Sequence, residues 1–135
     1  MRNVFILLGL LASQNALAIT SQELLQQYAT QARQENAAYT GFSAERGANI
    51  FRTERNHSDG KKVSCATCHT SDPRNEGKTR ANKVIEPLAP VANPQRFTDQ
   101  AKVEKWFRRN CKDVLERVCT AQEKGDFMQY LVNIK

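Results

Sequence analysis

Apolar residues recur along this chain at helical rather than strand spacing, and the capping residues beside them divide it into segments. Thr20-Ser21-Gln22-Glu23 fits a capping box, and Leu24, Leu25, Tyr28 and Ala32 follow at helical intervals. They predict a helix over residues 21–39, stopped before Gly41. A second helix is predicted to start at Ser43, with Gly47 and Phe51 four apart on one face. Thr98 or Asp99 can cap a third, on which Val103, Phe107 and Asn110 share a face beside Trp106. Thr120-Ala121-Gln122-Glu123 is another capping box, and the last helix carries Phe127, Tyr130, Leu131 and Ile134 on one side. No stretch alternates well enough to predict a strand, and no repeat is present, so the expected fold class is all-α. Residues 56–62 are polar and contain Gly60, which reads as a loop. Residues 70–93 hold Pro73, Gly77, Pro87 and Pro90, with Pro94 next, and leave little room for a regular element. A loop this long needs a reason inside a compact domain, and wrapping a bulky cofactor is one.

The first segment is of another kind. Residues 4–12 (VFILLGLLA) are an apolar run behind a basic start, and Ala16-Leu17-Ala18 is an A-x-A site. That pattern predicts a secretory signal peptide over residues 1–18, cleaved after Ala18, and export to the periplasm. The run is too short to span a bilayer as a helix. Once it leaves, Leu, Ile, Val and Phe make up about 18% of residues 19–135. A share below roughly 20% with net positive charge usually signals disorder. Periodic helices and a regular set of cysteines argue instead that a non-protein group fills part of the core. The formal charge is +6. Export and the interleaving of acids with bases, as in Lys102, Glu104, Lys105, Arg108, Arg109, Lys112 and Asp113, argue against nucleic acid and fit an acidic protein partner.

Cys65-Ala66-Thr67-Cys68-His69 is the C-x-x-C-H attachment signature of c-type haem. Two thiols three residues apart on a helical turn reach the two vinyl groups of one porphyrin, and the next residue, His69, then lies under the iron. A zinc site would need two more ligands at short spacing, and Cys111 and Cys119 stand eight apart. A redox dithiol normally sits in a βαβ setting, which is absent here. With Cys65 and Cys68 on one covalent haem c, Cys111 and Cys119 are left either to pair with each other, as an exported protein permits, or as two free thiols.

Three residues compete for the iron's sixth position. Electron-carrying cytochromes c use methionine there, and Met128 is the only methionine beyond the signal. It lies in the last helix, which normally packs away from the iron. His57 is the only other histidine, in a polar loop twelve residues before His69. Asn110 ends the aromatic face of the third helix directly before Cys111, where it can either ligate or simply cap the helix C-terminus.

The stretches Trp106 to Leu115 (WFRRNCKDVL) and Arg117 to Asp126 (RVCTAQEKGD) resemble the SHP-type oxygen-binding cytochromes c. Ile85-Glu86-Pro87-Leu88-Ala89-Pro90 is similar to the middle loop of that family. The likeness runs from about Ser43 onward and divides the chain into the signal (1–18), an N-terminal helical extension (19–42) and a cytochrome c domain (43–135). It implies a class I cytochrome c fold, His69 and Asn110 as the axial ligands, and a Cys111–Cys119 disulfide beside the distal one. It also implies that the asparagine leaves the reduced iron to admit oxygen or nitric oxide. The implied partners are a dihaem cytochrome c and a membrane cytochrome b. The expected protein is thus a monomeric electron carrier that binds a diatomic gas. The rivals are an ordinary carrier with Met128 or His57 on iron, and an enzyme such as a nitric oxide dioxygenase or a peroxidase. No general acid–base pair in the sequence compels an enzyme.

Overall fold

The computed structural model describes residues 18–135. The apolar run and most of the A-x-A site lie outside the described residues. Among the described residues five helices carry the fold: α1 (Ser21–Glu35), α2 (Ala44–Arg52), α3 (Ala66–His69), α4 (Gln100–Leu115) and α5 (Ala121–Val132). The caps act as the sequence predicts. The Thr20 hydroxyl accepts from the Glu23 N–H at 3.1 Å while the Glu23 carboxylate accepts from the Thr20 N–H at 2.7 Å. Thr120 and Glu123 repeat the exchange at 3.1 and 2.9 Å. Of the two candidates at the third helix, Asp99 is the cap, accepting from the Lys102 N–H at 2.9 Å.

Three expectations are revised. α1 ends at Glu35, well short of Tyr39, because Asn36 turns extended and its side chain accepts from the Ala38 N–H at 2.9 Å. α4 continues past Asn110 to Leu115 and stops where Glu116 takes the left-handed conformation at φ 56°. Asn110 is therefore an interior helix residue and caps nothing. Two small hairpins also form, β1 (Arg55–Asn56) with β2 (Lys62–Val63) and β3 (Gly77–Lys78) with β4 (Val84–Ile85), both antiparallel. Strands of two residues are too short to show alternation, so the pattern could not reveal them.

The core lies where α5 crosses α2 and α1. Leu24, Tyr28, Phe51, Met128 and Leu131 are buried there. Gly47 permits the close crossing: a Cβ on it would lie 1.9 Å from the Asp126 carbonyl oxygen. Beside it the buried Asp126 carboxylate accepts from the Arg46 guanidinium at 2.7 and 2.9 Å and from the Ser43 N–H at 2.7 Å. Aromatic rings then carry contact outward to α4. Phe127 meets Phe51 at 6.2 Å and Phe107 at 5.7 Å, and Phe107 meets Tyr28 edge-on at 6.1 Å.

α1 also holds α4 directly. The Tyr28 hydroxyl donates to Glu104, and the Lys124 ammonium of α5 reaches the same carboxylate at 2.8 Å. Burial first, then the Glu104 hydrogen bond, raises the Tyr28 hydroxyl above its ordinary 10.0. Burial works to raise the Glu104 carboxyl, but the bonds from Lys124 and Tyr28 outweigh it and leave it below 4.5. A raised acid stabilises the fold fully below its unfolded value and less as pH climbs past it. A lowered one stabilises above its unfolded value and less as pH falls. The contribution of the Tyr28–Glu104 contact to thermal stability should therefore hold level between about pH 4.5 and 10 and fall on both sides. Melting curves of Tyr28→Phe should lose part of the alkaline fall, and an unchanged alkaline limb would assign that fall to another group.

Candidate haem site

α3 is a single turn, and it begins at the first cysteine of the motif. Cys65, at its N-cap, and Cys68 are half-buried free thiols. The Cys65 thiol points back to the Ile50 carbonyl at 3.9 Å, and burial pushes it up to about 11. The strand at Gly77 crosses so near this turn that a Cβ there would lie 2.0 Å from the Cys68 carbonyl oxygen. Burial, and secondarily the Arg96 guanidinium, push His69 from 6.5 down to about 4. The imidazole is thus neutral at physiological pH, the form that ligates a metal.

The long loop is ordered around this turn. Pro73 is buried, and its carbonyl accepts from the Leu88 and Ala89 N–H groups at 2.9 and 3.0 Å. Arg96 fastens the loop's far end, donating to the Pro87 and Glu86 carbonyls at 2.7 Å each. Sequence reasoning missed Arg96, Glu104 and Lys124. In the sequence they read as surface charges, and their partners lie 9, 76 and 20 positions away. No local spacing carries such a signal.

α4 brings the distal candidate. Val103, Phe107 and Asn110 lie part-buried on its inner face, as the periodicity predicts, and Val114 joins them. The Asn110 side-chain amide makes no hydrogen bond among the described residues. Directly after it, Cys111 is bonded to Cys119, eight residues on, and so ties the end of α4 to the start of α5. In the chain-entropy model a loop of this length stabilises by about 2.6 kcal/mol. A Cys111→Ser, Cys119→Ser double variant should lose about that much in denaturant unfolding and change its haem spectrum more than its helix content. An unaltered spectrum would show that the disulfide has no influence on the distal side.

The other two candidates are engaged elsewhere. Met128 is 0% exposed, sealed in the helix core. His57 sits in the turn between β1 and β2. Its Nδ1 lies 3.1 Å from Asp59 and its Nε2 lies 3.5 Å from Glu116, just past the end of α4. Both ring nitrogens thus face carboxylates.

The residues present fit a covalently held haem. Two thiols share one turn, a neutral imidazole follows them, and Leu88, Val103, Phe107 and Phe127 form an apolar margin that the protein core leaves only part-buried. A helical shell with this donor set defines a class I, monohaem c-type cytochrome. Comparison with known proteins makes the assignment specific. A family model described as a domain of unknown function, DUF1924, matches residues 37–131. The cytochrome c-type protein SHP of Cereibacter sphaeroides is 46% identical over 72% of this chain and 75% of its own. Cytochrome c'' of Methylophilus methylotrophus is 37% identical over 97% of this chain and 93% of its own. The crystal structure of oxidised cytochrome c'' superposes with a TM-score of 0.78, covering 85% of this chain and 94% of that one. Oxidised SHP, an oxygen-binding cytochrome c, superposes at 0.75 over 84% and 96%. The chain belongs to this SHP and cytochrome c'' family and carries one covalent haem c, with Cys65 and Cys68 fitting the attachment motif.

Proposed function

We propose that this is an exported electron-carrying cytochrome c whose sixth coordination position opens to a diatomic gas when the iron is reduced. The observation that carries the reading is Asn110: an uncommitted amide on the inner face of α4, directly before the disulfide-bonded Cys111. When bound, the haem supplies one-electron chemistry and a coordination site for small gases. Cys65 and Cys68 would anchor it, and His69 and Asn110 would hold the iron through a neutral imidazole and an amide oxygen. An amide oxygen is a hard donor that suits ferric iron better than the softer ferrous ion, so reduction would weaken its hold. Once released, the same amide would be able to donate a hydrogen bond through its NH2 group.

The relatives support the reading. SHP is described as oxygen-binding, and the solution structure of cytochrome c'' addresses haem-ligand detachment. An ordinary carrier with Met128 or His57 as ligand would require Met128 to leave the core or His57 to leave its two carboxylates. The deciding experiment is the spectrum of the ferrous protein with and without carbon monoxide. Rapid, complete conversion supports an opening sixth site, and a ferrous protein inert to the gas refutes it. Export has its own check: intact mass should equal residues 19–135 plus one haem, less two hydrogens for the disulfide.

A further inference from the structure

We infer that the outward face of α4 is the docking surface for an acidic electron-transfer protein. The inference rests on the electron-carrying half of the proposed function and adds where, and to what chemistry, the carrier docks.

The sides of α4 are sharply divided. Its inner face carries Val103, Phe107, Asn110 and Val114, all part-buried. Its outer face carries Lys102, Lys105, Trp106, Arg108, Arg109 and Lys112, all exposed. None of these five cations forms an ion pair among the described residues. The helix has two acids of the opposite charge, Glu104 and Asp113. Glu104 is turned inward to Tyr28 and Lys124, which leaves Asp113 alone on the outer side. Like charges three and four residues apart disfavour an isolated helix, so this row gains from an external counter-charge.

A solvated basic face would explain the charge alone. It does not explain Trp106, 41% exposed at the edge of the row beside Lys102, with the Arg109 guanidinium 5.2 Å from its ring centre. Tryptophan and arginine are the residue types that dominate binding energy at protein interfaces, with aromatic anchors inside a charged rim. Charged rims raise encounter rates between opposite surfaces and lose that effect in salt. Arg109 directly precedes Asn110, so a protein seated here lies on the helix that bears the distal candidate.

The test is stopped-flow reduction of the full haem-loaded protein by flavodoxin hydroquinone, an acidic one-electron donor, from low to high ionic strength. A small neutral reductant runs in parallel. The docking variant is Lys105→Glu with Arg109→Glu. The control is Lys78→Glu with Lys83→Glu, the same change of charge on the β3–β4 hairpin. At low ionic strength the docking variant should slow flavodoxin about tenfold or more and flatten the salt dependence, while the control slows it far less. Trp106→Ala should raise the donor concentration needed for half-saturation severalfold with the salt dependence intact. Equal slowing by both charge pairs would overturn the inference in favour of global charge, and so would no slowing by either. Salt-sensitive co-sedimentation with anionic phospholipid vesicles, with no α4 effect on electron transfer, would reassign the face to a membrane. If the neutral reductant fails to reduce the wild type, it is the carrier reading that falls.

Discussion

Asn110→Ala is expected to leave the haem attached and to change the iron's coordination. Cys65, Cys68 and His69 are untouched, so the covalent mass should not move. Alanine is the better helix former by about 0.6 kcal/mol, and Asn110 lies inside α4 with no hydrogen bond to lose among the described residues. Stability of the reduced protein, in which the amide is already released, should therefore hold or rise slightly, which separates a ligand effect from a folding defect. The ferric spectrum should turn to that of a five-coordinate or water-bound iron. Ferrous association of carbon monoxide should change little, because reduction already releases the amide, whereas ferric binding of an added ligand such as cyanide should quicken by about tenfold or more, because a site closed by its own side chain binds only in the fraction of molecules where it is open. His57→Ala and Met128→Ala serve as comparisons. If Asn110→Ala left the ferric spectrum unchanged while either of those altered it, the distal assignment would be wrong and the protein an ordinary carrier. Asn110→Met should instead hold the site closed in both oxidation states and raise the potential, as methionine ligation does.

Gly47→Ala should be among the most damaging single-methyl additions to the fold. The new Cβ would lie 1.9 Å from the Asp126 carbonyl oxygen and 2.8 Å from the Tyr130 Cβ. The first obstacle is helix backbone, so relief requires α2 and α5 to part. Parting them loosens Phe51 against Tyr130, now 5.7 Å between ring centres, and the Arg46–Asp126 pair. Overpacking of this kind costs roughly 3 kcal/mol, and Tm should fall by roughly 10–20 °C for a domain of this size. Gly60→Ala is the control. Gly60 has φ +80° with nothing near its Cβ, so only backbone strain of about 1 kcal/mol applies. A Gly47 variant no worse than the Gly60 variant would show that the two helices cross less tightly than described.

Much of this protein is legible along the chain because its causes are local. A capping box fits within four residues, and both boxes form where Thr20 and Thr120 mark them. C-x-x-C-H is one helical turn, so the haem and its attachment follow from five residues. The inner face of α4 follows from the period of Val103, Phe107 and Asn110. Helix ends were less legible. α1 stops early because Asn36 satisfies the backbone locally, and α4 runs long because Glu116 takes a left-handed turn, an unusual conformation for a glutamate. The hairpins escaped because each strand is two residues.

The sequence by itself determined the helical class, the cofactor and the residues able to anchor it, since each depends on neighbours a few positions apart. The tertiary structure alone decided how the distal candidates are disposed. Met128 is sealed in the core because α5 crosses α2 at a glycine, and His57 faces Glu116 because the first hairpin reaches the end of α4. It also decided that Glu104 turns inward to Tyr28 and Lys124, leaving the outer row of α4 almost wholly basic. Those contacts join residues far apart in the chain. Their energies depend on burial and on the dielectric of the place where they meet, which no window of sequence contains.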